Sequence, residues 1–447
     1  MNLHHRILAL VIIGLATPLS AGTVLTFDVV SHSEPTKGAK EMKGPSLPKD
    51  AHYTLTVNLA GDTLQIGEPD TETEYDFKNA RIYALDKSKK TYDEVSLYTV
   101  VGFNVAEFAN RMMLGKMLAA AKMKDNPMAP ALTEHLMSMS DPANKTVVDR
   151  STKGDEIVYS WNGRPLMTLS QKTRELPPAV FPQYVRFLRY STGGHPQIFA
   201  AIEQGKGVPE RLTVVRSNVA VETRTLTLQS VDESPGSPFS LNGYTHHVPD
   251  GEPYATLKRL SGSPASDLEA RAGVLRQERD AAVADGHVFD AMLANFAAGL
   301  STGDQREAGT WLAVHRDQVN GSAEAQNLMR SLTPKDAASA KTAADMLANL
   351  KQAAGPHGYV LSIFEANNRL ALNEGDRAVD LFLSALAADP TVTGAWIDLG
   401  TIYYGGFRAD AAWACWDAAR ALRPKHFMLE KVDDLERRLR TDHPEFF

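Results

Sequence analysis

One cysteine in 447 residues, Cys415, leaves this chain with no means of forming an intrachain disulfide. A small disulfide-stapled scaffold is excluded, and the fold must rest on packed cores, for which the length suffices twice over. Charge of one sign is equally scarce: 47 Lys and Arg stand against 54 Asp and Glu, a net charge of −7 with the signs mixed throughout. No basic stripe awaits a phosphate backbone, so nucleic acid is not an expected partner. Beyond residue 21 no apolar run approaches the roughly 20 residues that cross a bilayer. Nor does the chain contain H-E-x-x-H, G-x-S-x-G or a phosphate-binding glycine loop. With no nucleophile set beside a base, the expectation is a protein without enzymatic activity, cofactor or resident metal.

The first 21 residues combine a short basic start ending in Arg6, an apolar run over 7–16, and the ending Thr17-Pro18-Leu19-Ser20-Ala21. That order is the pattern of a secretory signal peptide cleaved after Ala21. It predicts an exported protein, periplasmic or secreted, with no transmembrane segment after cleavage.

From residue 22 to about 230 the apolar period is two. Tyr53, Leu55, Val57 and Leu59 alternate with polar residues, Gly61-Asp62 makes a turn, and Leu64 and Ile66 return. Asn162-Gly163 between two strand-like runs predicts a hairpin, and 211–216 and 219–229 read as further strands. Two helical inserts interrupt the pattern. Asn104 and Glu107 suggest a capped start for a helix to about Lys122, and 178–204 reads as shorter helices broken at Gly193-Gly194. Residues 31–51, rich in Ser, Pro, Lys and Gly, read as a mobile loop. The run over 75–92, YDFKNARIYALDKSKKTY, resembles the periplasmic lipoprotein-carrier fold. The resemblance implies a curved antiparallel sheet with helices laid across its concave face; fold alone would not assign a function.

The most specific stretch is 396–424. Trp396, Leu399-Gly400, Tyr403, Ala412, Trp416, Ala419 and Pro424 stand at the spacing W-x2-L-G-x2-Y…A-x3-F…P. The same second-helix signature recurs 34 residues earlier at Ala378, Phe382, Ala385 and Pro390. The spacing resembles the tetratricopeptide repeat, which implies paired antiparallel helices stacked into a solenoid with a groove for another polypeptide. Helices are also expected over 266–284, 288–299 and 305–318, and from Thr333-Pro334 to Gly355. Met428, Val432, Leu435 and Leu439 form the apolar stripe of a capping helix.

The fold class expected is therefore α+β in two domains. A curved antiparallel sheet with helical inserts occupies 22–250, a linker 251–265, and an all-α, repeat-like solenoid 266–447. Its clearest units are 357–390 and 391–424, capped by 425–440. The groove residues predicted by helical spacing are Ile363, Asn367 and Leu370, then Ile397, Thr401 and Tyr404. Their mildly apolar mix suits an extended peptide or a helix of a cell-envelope protein.

Seven of the fourteen methionines fall between 112 and 139, namely Met112, Met113, Met117, Met123, Met128, Met137 and Met139. Methionine adapts to varied apolar guests, so Phe108, Met112, Met117 and Leu118 are candidates to line a site for a lipid or other apolar ligand; the same residues also suit ordinary packing of a helix on the sheet. His135, Met137 and Met139 offer soft-metal donors at loose spacing. His246-His247 with Asp250 offers zinc donors, but adjacent side chains in a strand point apart. Ser46-Leu47-Pro48-Lys49 matches Ser-x-x-Lys outside any supporting context.

Overall fold

The computed structural model describes residues 22–35, 50–121, 133–217, 220–234, 239–262 and 265–447. The expectations for residues 1–21, for Ser46 and Lys49, and for Met123 and Met128 lie outside the described residues. The architecture is α+β: an antiparallel sheet in the first half, a block of packed helices in the second.

The strands are β1 (Gly22–Pro35), β2 (Ala51–Ala60), β3 (Thr63–Gly67), β4 (Thr71–Asp76), β5 (Arg81–Asp86), β6 (Thr91–Ser96), β7 (Asp149–Lys153), β8 (Glu156–Trp161), β9 (Arg164–Ser170), β10 (Thr173–Glu175), β11 (Gly207–Pro209), β12 (Arg211–Ser217), β13 (Ala220–Ser234) and β14 (Thr245–His246). Twelve of these form one sheet in the order β14-β6-β5-β4-β3-β2-β1-β13-β12-β9-β8-β7. All pairs in it are antiparallel except β14 on β6. The long central pair β1 and β13 runs from Gly22↔Ser234 to Pro35↔Ala220. Residues 31–35, expected as loop, thus continue a strand, because β13 supplies hydrogen bonds that local composition does not reveal.

Period-two alternation puts Leu25, Phe27, Val29, Leu55, Val57, Leu59 and Leu64 on one buried face. Two helices cover it, α2 (Phe181–Ser191) and α3 (Pro196–Glu203), following α1 (Leu97–Ala120) in the chain. Phe187 of α2 stacks on Phe27 with centroids 6.1 Å apart. Between α2 and α3 the backbone passes through positive φ at Gly193 (61°) and Gly194 (141°), which side-chain-bearing residues avoid. Arg216 donates to the Thr192 and Ser191 carbonyls at 2.9 and 3.1 Å, placing a cation where the end of α2 leaves carbonyls unpaired. The Asn162-Gly163 hairpin has positive φ at both residues, 50° and 76°, as a type I′ turn requires.

Helix α1 starts earlier than Asn104 and Glu107 suggest. Ser96 caps it, its hydroxyl accepting from the Tyr98 amide at 3.3 Å. The β-branched run Thr99-Val100-Val101 reads locally as strand, but burial of Leu97 and Val101 overrides that preference.

The helices of the second half are α4 (Tyr254–Ser261), α5 (Ala265–Ala284), α6 (Val288–Thr302), α7 (Gln305–Val314), α8 (Arg316–Gly321), α9 (Ala323–Ser331), α10 (Ala337–Leu350), α11 (Tyr359–Ala371), α12 (Gly375–Ala388), α13 (Thr393–Gly405), α14 (Ala409–Leu422) and α15 (Glu430–Asp442). Within 251–265, expected as linker, α4 is an ordered helix with Thr256 and Leu260 buried and the Tyr254 hydroxyl 2.7 Å from Asp410. Asp336, in a reciprocal cap with Ser339, starts α10 in place of Thr333.

Helices α11 and α12 pack as one pair, α13 and α14 as another. At Gly400 a Cβ would sit 2.5 Å from the Trp416 indole nitrogen and 3.0 Å from the Ala412 carbonyl, so only glycine lets these helices approach so closely. Trp396 and Phe382 are fully buried, and Cys415 is a small buried side chain in the same core. The two halves meet along α1, whose Val101 belongs to the helical core although its sequence lies among the strands. Gly102 of α1 lies against Trp413 of α14, and Arg81 of β5 pairs with Asp417 at 2.6 Å.

Candidate binding surface

The two helices expected to carry a groove, α11 and α13, are packed on by another helix of the chain. Helix α6 lies along α11 and α13: Phe296 meets Phe364 edge-on at 5.3 Å, and the Thr393 hydroxyl donates to the Ser301 carbonyl at 3.1 Å. Ile363 and Ile397 are core residues, 1% and 3% exposed, and offer no open surface. Tyr404 is half-buried against Trp413 at 5.4 Å, with its hydroxyl 3.4 Å from the Gly102 carbonyl of α1. Leu370 is half-buried, while Asn367 and Thr401 are exposed. The six residues therefore do not form one open surface. Helical spacing alone could not show which of these positions the rest of the chain covers.

The methionine-rich helix behaves differently. Phe108 packs inward in a small cluster with Leu136, Met137 and Met139, flanked by Trp161 and Leu166. Glu107 binds Arg111 at 2.6 Å and lies 3.4 Å from His135. The hydrogen bond from His135, aided by Arg111, pulls the Glu107 carboxyl down to about 2. This anchor fixes one side of α1 to the body. The other side is open: Phe103, Met113 and Met117 are 37%, 53% and 59% exposed.

Phe103, Ala106, Asn110, Met113, Met117 and Ala120 recur at alternating steps of three and four, which places them on a single stripe opposite Phe108. At 1.5 Å per residue the stripe runs about 26 Å. Of the four ligand-lining residues expected, Phe108 is buried in packing, Leu118 is half-buried, and Met112 and Met117 are exposed. They do not line one enclosed cavity. Phe103 and Met113 belong to the open stripe instead, a relation that the three-four spacing carries once the anchored side is known.

The remaining candidates separate. His135 is engaged by Glu107, and Met137 and Met139 are buried among apolar side chains. His246 stacks on Tyr92 with centroids 4.9 Å apart, while His247 turns away to Asp93 at 2.7 Å. Among the described residues no group of three or more His, Cys, Asp or Glu side chains is placed to hold a metal ion. His195 caps α3, accepting from the Gln197 amide at 3.2 Å, and burial lowers its pKa to about 4. Among the described residues no helix is long and apolar enough to cross a membrane.

No family model and no curated protein matches this chain. Among solved structures, a chain of lipovitellin, from work on lipid–protein interactions in that protein, aligns with 93% of this chain at 10% identity and a TM-score of 0.18. This chain spans about half of that one, 47%. A likeness at that score carries no argument about fold or ligand.

Proposed function

We propose that this protein is an exported, non-enzymatic scaffold that holds an apolar helix of a cell-envelope protein against the outward stripe of α1. The observation that carries the reading is the exposure of Phe103, Met113 and Met117 on one face of an otherwise anchored helix. Such a stripe is an unusual surface for a monomer to leave in water, and methionine accommodates partners of varied shape. Three-four spacing fits a helical partner in particular. The tetratricopeptide-like spacing over 396–424 supports a scaffold role, with these helix pairs serving as a rigid frame on which α6 packs. The signal-like residues 1–21 support export.

A second reading, carriage of a lipid or another apolar ligand, rests on the same methionines, since an acyl chain would find equal contact there. Both are tested by placing a photo-crosslinking amino acid at position 113 or 117 of the full chain in its native host. A discrete protein adduct from 113 and 117, absent from positions 367 and 401, is the expected result. Adducts from 401 alone would return the site to the repeats and refute the proposal. An adduct with the mass of a lipid would establish the second reading instead.

A further inference from the structure

Residues 444–447 extend past α15 and insert between the two halves. Pro444–Phe446 forms a single 3-10 turn, and Phe446 is 4% exposed. Its ring meets Tyr190 edge-on at 5.5 Å, and the Tyr190 hydroxyl donates to its carbonyl at 2.8 Å. The next ring, Phe447, packs on Tyr98 at 5.4 Å under the Arg440 guanidinium at 4.8 Å. Arg186 donates to the backbone oxygen of Phe447.

The aromatic walls that meet the two rings come from the first half of the chain, while Phe446 is also part of the helical core of the second half. Tyr75 contacts Tyr190 at 4.5 Å, Phe77 lies beside it at 6.2 Å, and Arg186 caps the Phe77 ring at 4.3 Å. These side chains are held by β4, the β4–β5 turn and α2, which have their own core. Arg440 comes from the helix that delivers the insert, and Leu439 of the same helix shares the helical core with Phe446. The slot thus has three properties of a peptide site: aromatic walls, a guanidinium aimed at a backbone oxygen, and a tyrosine hydroxyl that reads the preceding carbonyl. The Arg186 Nε is buried with no hydrogen-bond partner, so the guanidinium has donor capacity to spare.

We propose that this slot is a recognition site for a short peptide segment bearing two consecutive phenylalanines, filled in the resting chain by its own Phe446 and Phe447. A segment of that chemistry on a partner would compete with the insert and loosen the contact between the halves. The reading is independent of the α1 stripe, which lies on another face of that helix.

The test uses the full chain carrying Phe446→Ser and Phe447→Ser, with a fluorescent peptide of residues 441–447 as probe. After circular dichroism shows that the variant is folded, saturable binding is expected, at least about tenfold tighter than to the unaltered chain, whose own insert competes. Adding Arg186→Met should weaken the peptide about tenfold, the scale of a charge-assisted hydrogen bond. Should the double variant fail to fold, Phe447→Ser alone leaves buried Phe446 in place and opens the outer half of the slot; the probe is then the same peptide carrying Phe446→Ser, which presents one phenylalanine to that half. A folded variant that does not bind the peptide overturns the proposal. So does equal binding to the unaltered chain, or binding indifferent to Arg186→Met.

Discussion

Glu74 should cost the sheet half stability as pH rises from 4.5 to about 8, and its replacement by glutamine should abolish that dependence. The residue sits on β4 between Gln65 and Tyr83 of the neighbouring strands and is only 1% exposed. One carboxyl oxygen has no hydrogen-bond partner. Burial, reinforced by the charges of Asp76 and Glu72, raises its pKa from 4.5 to about 8. Below 4.5 both folded and unfolded chains hold the proton, and the stabilisation is fully present. As pH rises from there the unfolded chain releases the proton while the folded chain keeps it, so stability falls by about 1.4 kcal/mol per pH unit until the folded group also ionises. By pH 7 the loss is on the order of 3 kcal/mol, a large share of the stability of an ordinary domain. Glu74→Gln keeps the shape and removes the titration. Urea unfolding followed by circular dichroism at intervals from pH 4.5 to 9 should show the two proteins diverging, with the variant gaining steadily over the unaltered chain up to about pH 8. Parallel stability curves would refute the argument, because they would mean that Glu74 ionises in the folded protein as it does in the unfolded one.

Gly400→Ala should lower the melting temperature despite alanine's better helix propensity. Its Cβ would meet the Trp416 indole at 2.5 Å, and overpacking of that kind costs about 1–3 kcal/mol; an unchanged melting temperature would show that the α13–α14 pair can spread freely. Gly102→Val places carbon 2.5 Å from the Trp413 ring and should separate the halves without unfolding either. Small-angle scattering should then report a larger radius of gyration with helix and strand content retained. His195, whose pKa burial lowers to about 4, contributes stability that is present above 6.5 and lost as pH falls from 6.5 toward 4. His195→Asn, which preserves a helix-capping side chain, should therefore flatten acid destabilisation over that window in the same urea assay.

What the sequence by itself determined are the features encoded within a few residues of themselves. Alternation at a period of two placed Leu55, Val57, Leu59 and Leu64 on the dry face. The Asn162-Gly163 pair specified its turn because the required positive φ values suit those residues. The Trp396, Gly400, Ala412 and Trp416 spacing marked a close helix pair because a small residue must lie where two helices touch. Only the tertiary structure decided that Ile363 and Ile397 would be buried, that Ser96 would cap α1, and that Glu74 would be sealed from water. Each of those outcomes depends on partners far away in the chain. Arg81 finds Asp417, and Gly102 finds Trp413 and Tyr404, across more than half of the sequence. Local pattern specifies which face of an element is apolar. Which surface covers that face is set by the packing of the whole chain, and that packing left Met113 and Met117 exposed.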